Sequence, residues 1–316
     1  MIKNVYTKWE DLECNLNGAD SFVSEYFISS KNQNKIYFGI EDLSKVIYLE
    51  FNKNEILNYT PPIINGMNIM VVTNDFINKD KLFIKIQNKI ENEEIFISFS
   101  STLTDVLYES NSSYETINVF EETIKYYKDY FSNKNFQLSE KEEQGLCAEL
   151  IELNNQIDEH GENVVLNWLG PNKNKRDFVF EDYAIEIKST KNQTNTSIHI
   201  SNENQLDNSF PEGIKDLFLK VYIMENNDNG FNVITCAKDV LSKLTETTII
   251  KAFVSKLLNL KINIELYKPK AHFTIQTKNT YKITNKFPSL TSKKLPLGIH
   301  SIEYKISLDS IKEYMV

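Results

Sequence analysis

Two carboxylates and a lysine fall on one face of a predicted β-hairpin in the middle of this chain. When Glu181 and Asp182 form a two-residue turn, the flanking strands pair so that Asp177 stands directly opposite Glu186. Directly opposed residues of antiparallel strands have Cβ atoms about 4.5–5.5 Å apart, and like charges there destabilise the pair. Lys188 lies two residues beyond Glu186 and shares its face. We therefore expect a cation between the two carboxylates.

The helix before this hairpin supplies a third carboxylate. Ser139 and Glu142 form a capping box, and the apolar spacing that follows predicts a helix over about 140–157. The apolar residues of this helical face are Leu146, Leu150, Leu153 and Ile157. Glu149 falls inside their stripe, where a carboxylate is costly unless it is paired or binds a metal. Gly145, one turn earlier, is expected to allow another backbone to approach closely.

This combination suits the hydrolysis of a phosphodiester. Magnesium prefers oxygen ligands, keeps several waters, and is typically held by one or two carboxylates plus substrate phosphate. We expect Asp177, Glu186 and the carbonyl of Ile187 to bind Mg²⁺, with Mn²⁺ as a substitute, and Glu149 to bind through water or hold a second ion. Such a metal lowers the pKa of a bound water and neutralises charge on the phosphate. Lys188 would position that water or help to deprotonate it.

The same residues also have structural interpretations. Asp177 and Glu186 could be solvated strand residues paired with Lys175 and Lys188, and Glu149 could lie at the edge of the apolar stripe. On either interpretation no metal would be needed.

Basic residues around the hairpin are candidates for contact with nucleic acid. They are Lys173, Lys175, Arg176 and Lys191. The lysines could form a rim for a phosphate backbone or only a solvated loop. Arg176, the only arginine, is expected to point away from Asp177, towards either a DNA phosphate or a surface salt bridge.

The first part of the chain predicts a mostly antiparallel β domain. Short runs rich in β-branched and aromatic residues are separated by polar residues and by Pro61-Pro62. These runs span residues 35–40, 46–51, 67–72, 82–86 and 95–99. A helix over 114–130 and a polar linker at 132–135 follow.

The second part alternates helices and strands. Between 139 and 245 the patterns predict a helix, three strands, a short helix from Ser201 through Gln205, two strands and a helix. The five strands are expected at 164–168, 178–180, 183–188, 217–224 and 231–235. A helix over 249–260 and strands near 272–277 and 302–308 complete the chain. We divide it into domains at 1–135, 136–245 and 246–316.

Composition excludes several classes of protein. The 316 residues are 41% hydrophobic and 12% aromatic, which excludes a wholly disordered chain. A net charge of −9 disfavours a general nucleic-acid coat but leaves room for a local basic groove. No run of about 18 apolar residues and no signal-peptide core occur, so we expect a cytoplasmic protein without membrane contact.

Cysteine and histidine positions disfavour other metal chemistries. Cys14, Cys147 and Cys236 are widely spaced and are expected to be reduced core thiols. The four histidines lack metal-ligand spacing, which disfavours a zinc hydrolase.

The motifs together resemble the PD-(D/E)XK restriction-endonuclease-like superfamily, and in particular a bacterial family of such proteins with undefined function. The strings that carry this resemblance are Gly-Leu-x-x-Glu-Leu at 145–150, Trp-x-Gly-Pro at 168–171, Asp-Phe at 177–178, Glu-x-Lys-Ser-Thr at 186–190, Gln-Leu at 205–206, Phe-Pro-x-Leu at 287–290 and Leu-Pro-x-Gly-Ile at 295–299. Arg176 stands where the superfamily name has proline.

The resemblance implies both a fold and an activity. It implies an α+β or α/β protein with an αβββαβ core, preceded here by the β-rich domain. It also implies that Gln205 joins Asp177, Glu186, Lys188 and Glu149 as a catalytic residue, although a glutamine in a helix is unremarkable by itself. The implied function is metal-dependent cleavage of DNA, by an endonuclease or nickase, in bacterial anti-phage defence or restriction.

The expected partners are DNA and other proteins of a defence operon, and a homodimer would allow both strands to be cut. One alternative is a DNA-binding or scaffold subunit that is non-catalytic or activated by a partner. Another is a nuclease acting on RNA or single strands.

Overall fold

The computed structural model describes most of the chain in two compact units, Met1–Phe136 and Gln137–Val316. The described residues are 2–15, 21–26, 35–90, 93–107, 110–131, 137–170, 175–191, 196–207, 215–299 and 301–316. The expected linker at 132–135 lies outside them, and the division at residue 245 stays a prediction. None of the helices in these ranges combines the length and apolarity needed to cross a membrane.

The first unit contains a five-stranded antiparallel sheet with strand order β1-β2-β3-β5-β4. Its strands are β1 (Ser21–Tyr26), β2 (Ile36–Glu41), β3 (Ser44–Asn52), β4 (Met67–Asn74) and β5 (Lys79–Asn88). Its helices are α1 (Ile2–Asn15), α2 (Lys53–Ile56), α3 (Asp75–Asn78), α4 (Glu93–Leu107) and α5 (Ser113–Phe131). Aromatic contacts fill the core, as where Trp9 meets Phe38 edge-on at 5.0 Å between ring centroids.

The run at 95–99 was expected to be a strand, but it lies in the first half of the helix α4. Phe96, Phe99, Leu103 and Leu107 are all fully buried at helical spacing. The five residues of this run are too few to show the helical spacing, which becomes visible only with Leu103 and Leu107 further along the chain. Four of the five expected strand runs lie in β2 to β5.

The second unit is built on α6 and a four-stranded mixed sheet. Its elements are α6 (Glu140–His160), β6 (Phe178–Val179), β7 (Tyr183–Lys191), β8 (Ser197–Ile200), β9 (Asp216–Phe231), α7 (Val233–Ser242), α8 (Thr247–Asn259), β10 (Phe273–Ile283) and β11 (Tyr304–Ser307), with 3₁₀ helices at Glu162–Asn167, Ser292–Lys294 and Leu308–Tyr314. The predicted capping box forms between Ser139 and Glu142 and begins α6.

The main sheet of this unit has the order β10-β9-β7-β6, while β8 pairs with β11 in a separate two-stranded sheet. β7 runs parallel to β9, and the other pairs are antiparallel. Alternate residues of β7 face opposite sides. Ile185 and Ile187 pack with the helices α6, α7 and α8, whereas Ala184 packs with residues of β8 and β11.

Three further local expectations were wrong in this unit. Residues 164–167 lie in a 3₁₀ helix rather than a strand, and Trp168 forms only an isolated β-bridge with Phe178. Gly161 precedes this helix with a φ of 83°, and Val164 and Val165 face the core. Residues 233–235 begin α7 because Asn232 caps it, accepting from the backbone N–H groups of Ile234 and Thr235 at 2.9 and 3.0 Å.

The third concerns Gln205, which lies in a turn over 202–206 instead of a helix. The guanidinium of Arg176 donates hydrogen bonds to the carbonyls of Asn204 and Asp207. These carbonyls are therefore engaged by a side chain, and the turn does not continue as a helix. In the described residues the helix expected between β8 and β9 is therefore not formed. The coarser class holds, because the protein is a mixed α/β structure with antiparallel and mixed sheets.

All three cysteines are free thiols, as expected, and Cys147 and Cys236 lie in the core. The expectation of a core position was wrong for Cys14. Cys14 is exposed because the buried face of α1 is formed by Val5, Trp9 and Leu12.

Candidate active site

The predicted hairpin forms in the expected register. Phe178 pairs with Ile185 and Val179 with Ala184, and the N–H of Phe180 donates to the carbonyl of Tyr183 at 2.8 Å across the turn. This confirms the predicted pairing next to the carboxylates.

Asp177 is fixed by the facing strand. Its Oδ2 accepts a hydrogen bond from the backbone N–H of Ile187 at 2.7 Å. Burial raises the pKa of Asp177 well above its ordinary value, and the charges of Glu186 and Glu149 raise it further, against the opposing effects of Lys188 and the Ile187 N–H. Because its surroundings disfavour the charged form, the Asp177 carboxylate would be stabilised by a cation bound next to it.

Glu186 and Lys188 form an ion pair on the adjacent strand. Their Oε1 and Nζ atoms are 2.8 Å apart, and their side chains are 2% and 15% exposed. Burial disfavours the charged ammonium, but the carboxylates of Glu186, Asp177 and Glu149 outweigh it and raise the pKa of Lys188. Lys188 is therefore a cation in the metal-free protein, which favours a role in charge stabilisation over one as a base.

Glu149 reaches the site from α6. It is partly buried, and its Oε2 accepts a hydrogen bond from the indole N–H of Trp168 at 2.8 Å. Burial raises its pKa to about 7, with a further contribution from Glu186, while the Trp168 hydrogen bond and Lys188 act in the opposite direction. The location in the apolar stripe thus has the electrostatic consequence expected from the sequence.

A short segment, residues 168–170, connects Glu149 to Asp177. The backbone N–H groups of Leu169 and Gly170 donate to the carbonyl of Asp177 at 2.7 and 3.3 Å, while the Trp168 indole binds Glu149. The structure brings Asp177, Glu186, Lys188 and Glu149 into one electrostatic group.

The comparison with protein families agrees with this geometry. A family model described as "Putative PD-(D/E)XK family member, (DUF4420)" matches residues 5–309. The chain belongs to this family. The resemblance inferred from the motifs is therefore confirmed over nearly the whole chain, and the membership indicates a nuclease-like protein. Neither the curated proteins nor the solved structures gave a match.

For a PD-(D/E)XK protein the donor set is chemically suitable for a hard divalent cation. Asp177, Glu186 and Glu149 offer carboxylate oxygens. The pKa values of Asp177 and Glu149 are raised first by burial and then by the charges of neighbouring carboxylates, and a bound cation would offset both effects. Within the described ranges no three His, Cys, Asp or Glu side chains already form a metal-binding group. Binding would therefore require the carboxylates to adjust, and the carbonyl of Ile187 as a ligand stays a prediction.

Arg176 corrects one sequence expectation. It is only 1% exposed, and its guanidinium donates to the carbonyls of Lys175, Asn204 and Asp207. A residue buried in this way is not positioned to contact a DNA phosphate or form a surface salt bridge. It instead attaches the turn that contains Gln205 to the strand end at Asp177.

The remaining predicted residues lie around this group. Gln205 is partly buried and accepts from the Ser201 N–H at 2.8 Å, so its catalytic role stays a prediction. Lys175 is exposed, and Lys191 pairs with Glu140 at 2.6 Å on the surface. Lys173 lies outside the described residues.

Gly145 does not serve the close approach that was expected. A Cβ built there meets nothing within 4 Å beyond its own helix.

Sequence reasoning missed two buried glutamates on the same helix as Glu149. Glu143 accepts from the Tyr267 hydroxyl at 2.8 Å and from the backbone N–H groups of Lys270 and Ala271. Glu152 accepts from Lys220 and Tyr222 and forms an ion pair with Lys278 at 3.0 Å. Their donors lie over 60 residues away in the chain, so no local pattern could have identified them.

Proposed function

We propose that the protein hydrolyses phosphodiester bonds in DNA, as an endonuclease or nickase that uses Mg²⁺ or Mn²⁺. The observation that carries this proposal is the convergence of Asp177, Glu186 and Glu149 on one ammonium, Lys188, with the pKa values of Asp177 and Glu149 raised by burial and by neighbouring carboxylates. Such perturbed groups cluster where chemistry is performed.

The position of each carboxylate indicates how it would bind the cation. Asp177 would bind the cation with the oxygen not engaged by Ile187, and Glu186 would do so once Lys188 turns from it to the substrate phosphate. Glu149 would bind directly or through water, oriented by Trp168. When bound, the cation would lower the pKa of the attacking water and neutralise charge on the phosphate.

Lys188 would place its positive charge next to the phosphate as negative charge develops. Its raised pKa keeps the ammonium charged before substrate binds. We further propose that the protein acts in the cytoplasm in bacterial anti-phage defence, with proteins of the same operon as partners and as a homodimer when both strands are cut.

Plasmid cleavage tests the activity. Supercoiled plasmid is incubated with wild type, Asp177→Asn, Lys188→Met and the control Asp158→Asn, in Mg²⁺ and in Mn²⁺. Asp158 is an exposed carboxylate of α6 paired with Lys243 at 2.5 Å, so its loss should not affect cleavage. Nicking or linearisation by wild type and Asp158→Asn alone supports the proposal, and equal cleavage by all four would assign the activity to a contaminant.

A second candidate function is a non-catalytic or partner-activated DNA-binding subunit. The absence of a preformed three-ligand group among the described side chains favours it. Metal-independent DNA binding by both wild type and Asp177→Asn, without cleavage in either metal, would support this candidate.

A further inference from the structure

Gly170 lies where a side chain would enter the space between two of the candidate ligands. A Cβ built on it lies 3.2 Å from Asp177 Oδ1 and 3.2 Å from the carboxyl carbon of Glu149, and overlaps Glu149 Oε2. The φ angle of Gly170 is not in the left-handed region, so backbone conformation does not require glycine here. A side chain at this position would instead collide with the Glu149 carboxylate and press against Asp177 Oδ1.

The backbone around Gly170 is held on several sides and cannot easily withdraw. The N–H groups of Leu169 and Gly170 donate to the Asp177 carbonyl. From α8, the ammonium of Lys256 donates to the carbonyls of Val165 and Trp168, at 2.7 Å to the former. An added methyl group would therefore displace the Glu149 carboxylate, which is the end of a flexible side chain, rather than the backbone.

We propose that residues 168–170 act as a spacer that sets the gap between Glu149 and Asp177, and that Gly170 keeps this gap open for a divalent cation. The inference rests on the proposed function, because it assigns these residues a role in metal binding. Gly170 is a positioning residue in this arrangement, since it acts on the cation through the two carboxylates.

Metal binding, measured without substrate, tests the spacer. Mn²⁺ binding to the full chain is followed by isothermal titration calorimetry and by the electron paramagnetic resonance signal of free Mn²⁺, for wild type, Gly170→Ala and Asp177→Asn. Gly145→Ala is the matched control, because it adds the same methyl group on α6 in open space. We expect Gly170→Ala to lose about 10- to 100-fold in Mn²⁺ affinity, as when a residue that orients a ligand is changed. Gly145→Ala should bind as wild type does.

A double-mutant cycle tests whether Gly170 affects metal binding through the Glu149 carboxylate. Glu149→Ala removes the carboxylate that the new methyl group displaces, so Gly170→Ala should cause no further loss of Mn²⁺ affinity in that background. Independent, additive losses would show that Gly170 acts elsewhere and would overturn the spacer.

The outcomes separate the two proposals. Wild-type Mn²⁺ affinity in Gly170→Ala, with binding lost in Asp177→Asn, refutes the spacer and leaves the proposed function standing. Absence of Mn²⁺ binding in wild type without substrate overturns the spacer, while the plasmid assay decides the proposed function separately. If Gly170→Ala loses Mn²⁺ affinity only at temperatures at which its melting curve shows it already unfolded, and binds as wild type does below them, Gly170 has a purely structural role and the spacer is overturned.

Discussion

The indole N–H of Trp168 donates to Oε2 of Glu149 at 2.8 Å, and Trp168 itself is fully buried. This one hydrogen bond joins the end of the 3₁₀ helix to the carboxylate of α6. It makes the tryptophan part of the candidate site as well as part of the core.

Replacing Trp168 with phenylalanine keeps an aromatic ring but removes the donor. We expect a loss of about 1–3 kcal/mol in the free energy of unfolding, because a buried acceptor loses its partner. The pKa of Glu149 should rise above its value of about 7, since the hydrogen bond lowers it. Denaturant unfolding and pH-dependent Mn²⁺ binding measure the two effects. Unchanged pH dependence would contradict this role for the indole.

The metal-free protein should lose stability as pH rises from about 4.5 to about 7. Glu149 has an ordinary pKa of 4.5 and a folded value of about 7, so over this range the folded chain binds more protons than the unfolded chain. Asp177 contributes in the same direction. The Glu149→Gln variant lacks the Glu149 contribution and should gain on the order of 2 kcal/mol relative to wild type between pH 5 and pH 8.

Melting curves in EDTA at the two pH values test this prediction. Glu140→Gln is the control, because Glu140 lies on the same helix but on the surface. A stability difference between Glu149→Gln and wild type that does not change with pH would contradict it.

Glu152→Gln should destabilise the second unit by about 3–5 kcal/mol, because it leaves Lys220 and Lys278 without their buried counter-charge. Glu140→Gln, which breaks the surface pair with Lys191, should cost no more than about 1 kcal/mol. Urea unfolding of the two variants provides the comparison. Similar costs for both would mean that burial does not strengthen the Glu152 network.

Arg176→Lys should destabilise the protein without changing the salt dependence of DNA binding. A lysine cannot reproduce the planar guanidinium that spans the carbonyls of Asn204 and Asp207. DNA affinity measured against salt concentration tests the second part, with exposed Lys175→Ala for comparison. Because lysine keeps the positive charge, the salt series also includes Arg176→Gln. Removing the charge of a residue that contacts phosphate would reduce the slope by about one, so a reduced slope for Arg176→Gln would be inconsistent with the buried position of Arg176.

Local patterns predicted the parts of the site that depend on neighbouring residues. The hairpin register follows from a two-residue turn and strand alternation, and the start of α6 follows from the capping box at Ser139. The place of Glu149 in an apolar stripe follows from helical spacing. The same reasoning was wrong at 95–99 and 231–235, where a strand-like composition is overridden by a helical face or by the cap at Asn232.

By itself, the sequence determined that Asp177, Glu186 and Lys188 share one face of a hairpin and that a helical glutamate approaches them. Only the tertiary structure decided that Trp168 binds Glu149, that Arg176 is buried against the Gln205 turn, and that Gly170 lies against the carboxylates of Glu149 and Asp177. The physical reason is range. Turn, capping and alternation rules act over a few residues, whereas these contacts join segments whose approach is decided by packing of the whole unit.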